Sequence, residues 1–184
     1  MQAKWRCFPL VVALILFALP AWAQQGGRVT MAADVGALWP YMTHPKARHF
    51  DEEVDFVFGG HIDYGISDHA GIQFGMLRSD QEVETGARDA NTMTMQELYA
   101  SFRWNFLLGI AQPYILLGPS YHIINLDPPL EDESVPGGMV GLGVNAILTD
   151  NISLGLNSRF TYIFTREFDS ARLITCLATV GFSF

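Results

Sequence analysis

The sequence predicts an all-β fold, an eight-stranded antiparallel up-and-down β-barrel that crosses a membrane. Three observations carry that prediction. Apolar residues recur at every second position over segments of roughly ten residues. Short and long connectors alternate between those segments. Aromatic residues gather at both ends of the segments, with aliphatic residues between them.

The chain has 184 residues, of which 49% are apolar, 16% charged and 12% aromatic, with 17 Gly and two Cys. This describes one apolar-rich domain and excludes a long disordered protein, a collagen repeat and a disulfide scaffold. A net charge of −8 argues against a nucleic-acid partner.

Residues 1–23 read as an address rather than as part of the fold. Lys4 and Arg6 precede an apolar run over residues 7–19, and Pro20 precedes Ala21-Trp22-Ala23. The run is shorter than the roughly 18 apolar residues a spanning helix needs. With its basic start and Ala-x-Ala end it predicts a secretory signal peptide, cleaved between Ala23 and Gln24. Cys7 stands at the start of the apolar run, where a lipoprotein anchor would place its Cys after it. The barrel domain is then residues 24–184. Loss of Lys4 and Arg6 takes the net charge from −8 to −10 and leaves Cys176 as the one cysteine, so no internal disulfide forms.

The strands follow in order, each read from one apolar parity. Residues 29–41 supply Val29, Met31, Ala33, Val35, Ala37, Trp39 and Tyr41. The second strand has Val54, Phe56, Phe58, Ile62 and Tyr64; the third has Ile72, Phe74 and Met76. Leu98, Ala100, Phe102, Trp104 and Phe106 make the fourth, and Ile115, Leu117, Pro119, Tyr121 and Ile123 the fifth. The sixth has Val140, Leu142, Val144, Ala146 and Leu148. The seventh has Ile152, Leu154, Leu156, Phe160, Tyr162 and Phe164. Ile174, Cys176, Ala178, Val180, Phe182 and Phe184 end the chain. The opposite parity is small or polar, with Asp34, Gly36, Asp55, His61, Gln73, Tyr99, Arg103, Asn157 and Arg159 among its members.

Alternation alone does not say which face is inside, since a soluble barrel or sandwich would turn its apolar face inward. Connector length and aromatic placement decide. Residues 65–70, 107–112 and 149–151 form short links; residues 42–53, 79–91, 125–138 and 165–171 form longer, more charged ones. Every long loop thus falls at one end of the barrel, the asymmetry of an outer-membrane barrel. Trp39, Tyr41, Tyr121, Tyr162 and Phe164 lie at the loop end, and Tyr64, Trp104, Phe106, Phe182 and Phe184 at the turn end. Two aromatic belts flanking an aliphatic band match a bilayer with an interface on each side. The apolar parity therefore faces lipid.

Over residues 29–184 the chain resembles the small OmpA/OmpX-type outer-membrane barrels. The sharpest local feature is the last strand, Cys176-Leu-Ala-Thr-Val-Gly-Phe-Ser-Phe184, alternating and ending on an aromatic residue. The resemblance implies secretion to the periplasm and insertion into the cell outer membrane, with both termini periplasmic. It also implies that Phe182 and Phe184 form the insertion signal read by the barrel-insertion machinery. The sequence given stops at Phe184, so the expectation is a barrel without the peptidoglycan-binding domain of larger members. Outer-membrane lipid and lipopolysaccharide are the expected surroundings.

Candidate chemistry is sparse. Some resembling barrels modify lipid A, a reaction that needs a nucleophile and a base within reach on the outer wall. Ser158 is a hydroxyl on the lipid-facing parity, but its expected neighbours, Cys176 among them, include no base. His61, His69 and His122 belong to different elements, and neither H-x-x-x-H nor C-x-x-C spacing occurs. No catalytic residue, metal or cofactor is expected. Inside the barrel, Asp34, Asp55, Asp63 and Glu97 face Arg103 and Arg159, with His61 between them. These seven residues predict a structural network that closes the lumen. The long loops carry net charges of −1, −3, −4 (over residues 125–136) and −1 in chain order, nearly all of the mature charge. The functional expectation is a non-enzymatic outer-membrane barrel with a structural or surface-interaction role and an unidentified surface ligand. A narrow porin-like channel is the alternative, and an outer-leaflet lipid A-modifying enzyme comes third.

Overall fold

A computed structural model describes residues 27–43, 54–85, 89–106, 110–126, 133–164 and 170–184. The expected signal peptide and its cleavage site lie outside the described residues, as do Glu131 and Asp132 of the most acidic loop. Eight strands form: β1 (Val29–Thr43), β2 (Asp55–Gly65), β3 (Ala70–Thr85), β4 (Asp89–Asn105), β5 (Ala111–Leu126), β6 (Glu133–Ile147), β7 (Ile152–Ile163) and β8 (Ser170–Ser183). Each pairs antiparallel with its sequence neighbour, and β1 pairs with β8, so the sheet closes into a barrel without an edge. At the seam, Val29 and Phe184 exchange backbone bonds of 3.2 and 3.0 Å. No helix among the described residues is long and apolar enough to cross a membrane; the crossing is made by strands.

The parity read from sequence is the parity of the wall. Met31, Phe74, Leu117, Leu142, Val180 and Phe182 stand exposed on the outer face, while Asp34, Gln73, Arg103, Asn157 and Thr179 are buried inside. Val144 alternates outward as expected, yet it is only 5% exposed, flanked across the sheet by Pro113 and Leu156. At the loop end the rings of Tyr162 and Phe164 meet edge to face at 5.4 Å. At the turn end Phe182 and Phe184 tilt together at 5.8 Å.

Two expectations need correcting. The sequence places the third long connector over residues 125–138 and the second over 79–91, yet the strands run on through much of both. The β3–β4 ladder continues to Thr85↔Asp89, and β6 begins at Glu133. Past the lipid band the outward face of a strand meets water rather than hydrocarbon, so the apolar alternation fades while the backbone ladder goes on. The second correction concerns the interior, which is not small or polar throughout. Toward the loop end it is filled by Leu38, Met93, Met95, Ile124, Met139 and Leu173, which belong to one buried apolar cluster. Neighbouring positions of both parities are apolar there, as in Leu173-Ile174, and alternation then loses its contrast.

Candidate functional site

The barrel interior holds the polar residues singled out in the sequence, and it is built in two storeys. The lower one, toward the turns, is a hydrogen-bonded chain across four strands. Asp34 on β1 accepts from Thr179 Oγ1 on β8 at 2.5 Å, and its other oxygen meets His61 Nδ1 on β2 at 2.6 Å. The far side of the same ring, Nε2, lies 3.6 Å from Asp63 Oδ2. That oxygen also accepts from Arg103 Nη1 on β4 at 2.6 Å, and Arg103 Nε donates to Asn105 Oδ1 at 2.8 Å. The guanidinium carbon sits 4.2 Å from the centre of the Tyr114 ring, a buried cation–π contact. Asp63 and Arg103 are both about 4–5% exposed, so neither charge is tolerable without the other.

Arg159 on β7 bridges the storeys. Its Nη2 donates to the Tyr99 hydroxyl at 3.0 Å, its Nε to Asn157 Oδ1 at 3.1 Å, and its carbon lies 4.3 Å from the Tyr99 ring centre. Two glycines make room for the rings. A methyl at Gly75 would run into Tyr99, its partner across the β3–β4 ladder, and one at Gly143 into Tyr114 across β5–β6.

Of the seven residues expected in the network, Asp34, His61, Asp63 and Arg103 are brought together directly. Arg159 joins them through Asn157, whose amide donates to Thr179 Oγ1 at 3.5 Å. Glu97 sits higher, 2% exposed and opposite His122 in the ladder; its Oε1 has no hydrogen-bond partner, and its carboxylate lies within electrostatic reach of Arg159 and beside Thr161 rather than in the lower chain. Asp55 is half-buried at the loop end of β2, opposite Leu38 and away from the lower chain. Tyr114 and Asn105 complete the chain. Tyr114 lies on the interior parity of β5 with Gln112 and Leu116, and that parity is the signal that finds it.

Elsewhere the geometry offers little chemistry. Ser158 is paired across the sheet with Leu142 and Cys176, and the Cys176 thiol donates to its hydroxyl at 3.6 Å. Neither neighbour is a base. His69 stacks on Trp104 at 5.9 Å and contacts the Asn105 carbonyl oxygen through Nδ1 at 3.1 Å, a turn-end anchor. Among the described residues, no group of three or more His, Cys, Asp or Glu is placed to hold a metal ion.

Comparison with known proteins agrees with this architecture. No curated protein matches the chain in sequence. In structure it is similar to Neisserial surface protein A, at 18% identity, over 86% of this chain and 99% of that one, with a TM-score of 0.70. It is similar to OprG of Pseudomonas aeruginosa at 12% identity, covering 88% and 98%, with a TM-score of 0.68. Ail, the attachment invasion locus protein of Yersinia pestis, matches at 12% identity over 87% and 100%, with a TM-score of 0.61. At such identities these likenesses speak for the fold alone. The model of the outer membrane protein beta-barrel domain family matches residues 10–184. The chain is therefore a member of the outer membrane protein beta-barrel domain family, and its place is the outer membrane.

Proposed function

We propose that the protein is a closed, non-conducting and non-enzymatic outer-membrane barrel whose work is done at the loop end, in surface interaction or in support of the envelope. The filled upper storey carries this reading. Leu38, Met93, Ile124 and Leu173 point inward from four strands and are each at most 1% exposed. Ions do not cross a plug of packed side chains without paying for dehydration. The net loop charge of −9, read from the sequence, suits a basic partner or bridging divalent cations. Ail, by its name an attachment and invasion protein, gives precedent for a surface role on such a barrel.

Purified protein in planar bilayers tests the closed lumen. The expected record is flat in wild type. Stable single-channel steps, abolished by Arg159→Ala, would replace this reading with the narrow channel. Two further readings belong to the same proposal. Residues 1–23 are removed before insertion, so intact mass gives Gln24 as the first residue. Phe182 and Phe184 serve the insertion machinery, and deletion of Phe184 lowers the outer-membrane yield.

A further inference from the structure

At the turn end the β7–β8 ladder closes on the pair Ile152↔Phe182, and in the same register Asn151 stands opposite Ser183. One more rung would need these two residues to exchange both backbone bonds. Asn151 makes half of that rung in the ordinary way, its carbonyl oxygen accepting from Ser183 N at 2.8 Å. Its own N–H is turned elsewhere, to Thr149 Oγ1 at 3.3 Å, an oxygen that Ile152 N also reaches at 3.0 Å. Leu148 N and Thr149 N, bound to the Ile152 carbonyl oxygen at 2.9 and 3.2 Å, hold the turn in that shape. The missing donor comes from the side chain. Asn151 Nδ2 donates to the Ser183 carbonyl oxygen at 2.7 Å, so a carboxamide N–H stands in for a backbone one.

The other edge of the same stretch belongs to β1. Val29 and Phe184 exchange backbone bonds, and Thr30 Oγ1 lies 2.7 Å from Ser183 Oγ. Ser183 is therefore held from both sides, by the turn before β7 and by the start of β1. The bonds from Asn151 are exposed to solvent, where one alone contributes little. Two of them on one residue fix its direction as well as its place.

We infer that Asn151 is a catch for the β1–β8 seam: by gripping Ser183 from the β7 side it keeps the turn end of β8 in the line that Val29 and Thr30 need, and so sets how often the seam opens from that end. The residue type makes the catch. Aspartate has the same shape but no donor, and it sets a carboxylate against a carbonyl; alanine reaches nothing. Opening from this end runs through Ala32↔Gly181 to Asp34↔Thr179, where the Thr179 hydroxyl holds Asp34. A residue on an exposed turn thus guards a bond inside the lumen.

Hydrogen exchange of the full protein in lipid nanodiscs, read amide by amide by NMR, tests the catch, because exchange reports local opening. In Asn151→Asp, the N–H groups of Val29 and Phe184, which bond to each other and not to Asn151, should exchange about fivefold faster, the worth of roughly one hydrogen bond. Asn151→Ala gives the same result and stands in if the aspartate variant does not fold. Amides of the β3–β4 ladder keep their wild-type rates in both, and Asp150→Ala, in the same turn, keeps them everywhere. Unchanged exchange at Val29 and Phe184 overturns the catch, as does faster exchange confined to Ser183. Equal acceleration in every ladder also overturns it, since the loss is then one of general stability and not of the seam.

Discussion

The two storeys of the lumen solve the same problem in opposite ways. Both must fill the inside of an eight-stranded barrel, which is just wide enough for its own side chains. The lower storey does so with charges, and its price is pairing: Asp34, His61, Asp63 and Arg103 each hold a neighbour within 2.6 Å. The upper storey does so with Leu, Met and Ile, where no partner is required and shape alone decides. Stranded polar atoms occur in both: Asp63 Oδ1 below, and Glu97 Oε1, His122 Nδ1 and Thr175 Oγ1 above, are buried without a hydrogen-bond partner. A polar residue in a barrel is therefore not by its presence a stabilising one; its worth depends on the neighbour it finds.

Breaking the lower chain should have the largest effect. Asp63→Ala strands Arg103 and takes a carboxylate from His61, so urea unfolding of the lipid-embedded protein should show a loss of about 3–5 kcal/mol. A loss under 1 kcal/mol would mean that the lower storey is wet and the comparison false. In the upper storey, Leu173→Ala removes a fully buried side chain and should cost about 2–5 kcal/mol by the same measurement, depending on how far the neighbours relax. Combined with Asp63→Ala its cost should add, within about 0.5 kcal/mol, because the two sites share no partner. Strong coupling in that double variant would argue for one continuous core.

The finest test uses one substitution twice on one strand. Thr179→Val removes a hydroxyl that donates to Asp34, and should cost about 1 kcal/mol or somewhat more. Thr175→Val, four residues along β8, removes a hydroxyl without a partner and should change stability by no more than about 0.5 kcal/mol. Equal costs would erase the distinction between the storeys.

The strands and their facing were legible because a lipid-facing wall imposes a strict period of two. Phe74, Leu142 and Val180 had to be outside once the aromatic belts fixed the solvent. The charged interior residues were legible for the same reason, since Asp63 and Arg103 have nowhere else to go. Their partners were not. Whether Arg159 meets Glu97 or Tyr99 depends on strand stagger around a closed ring, which no local pattern encodes. The apolar storey was missed because alternation identifies a face by contrast, and Leu38 or Leu173 beside another apolar residue gives none.

The seam between β1 and β8 governs how such a wall is made. It joins the first strand to the last, and Thr30 meets Ser183 across 153 residues of sequence. Contacts so distant are entropically slow to form, and they come last in synthesis. An open seven-stranded sheet would meanwhile expose two unpaired backbone edges to hydrocarbon, where each bare N–H or C=O is costly. The same joining delivers Thr179 to Asp34, so the wall and the lower charge chain are finished in one event. Assembly is therefore all-or-none, and shortening either end should yield not a narrower barrel but a chain that never enters the membrane.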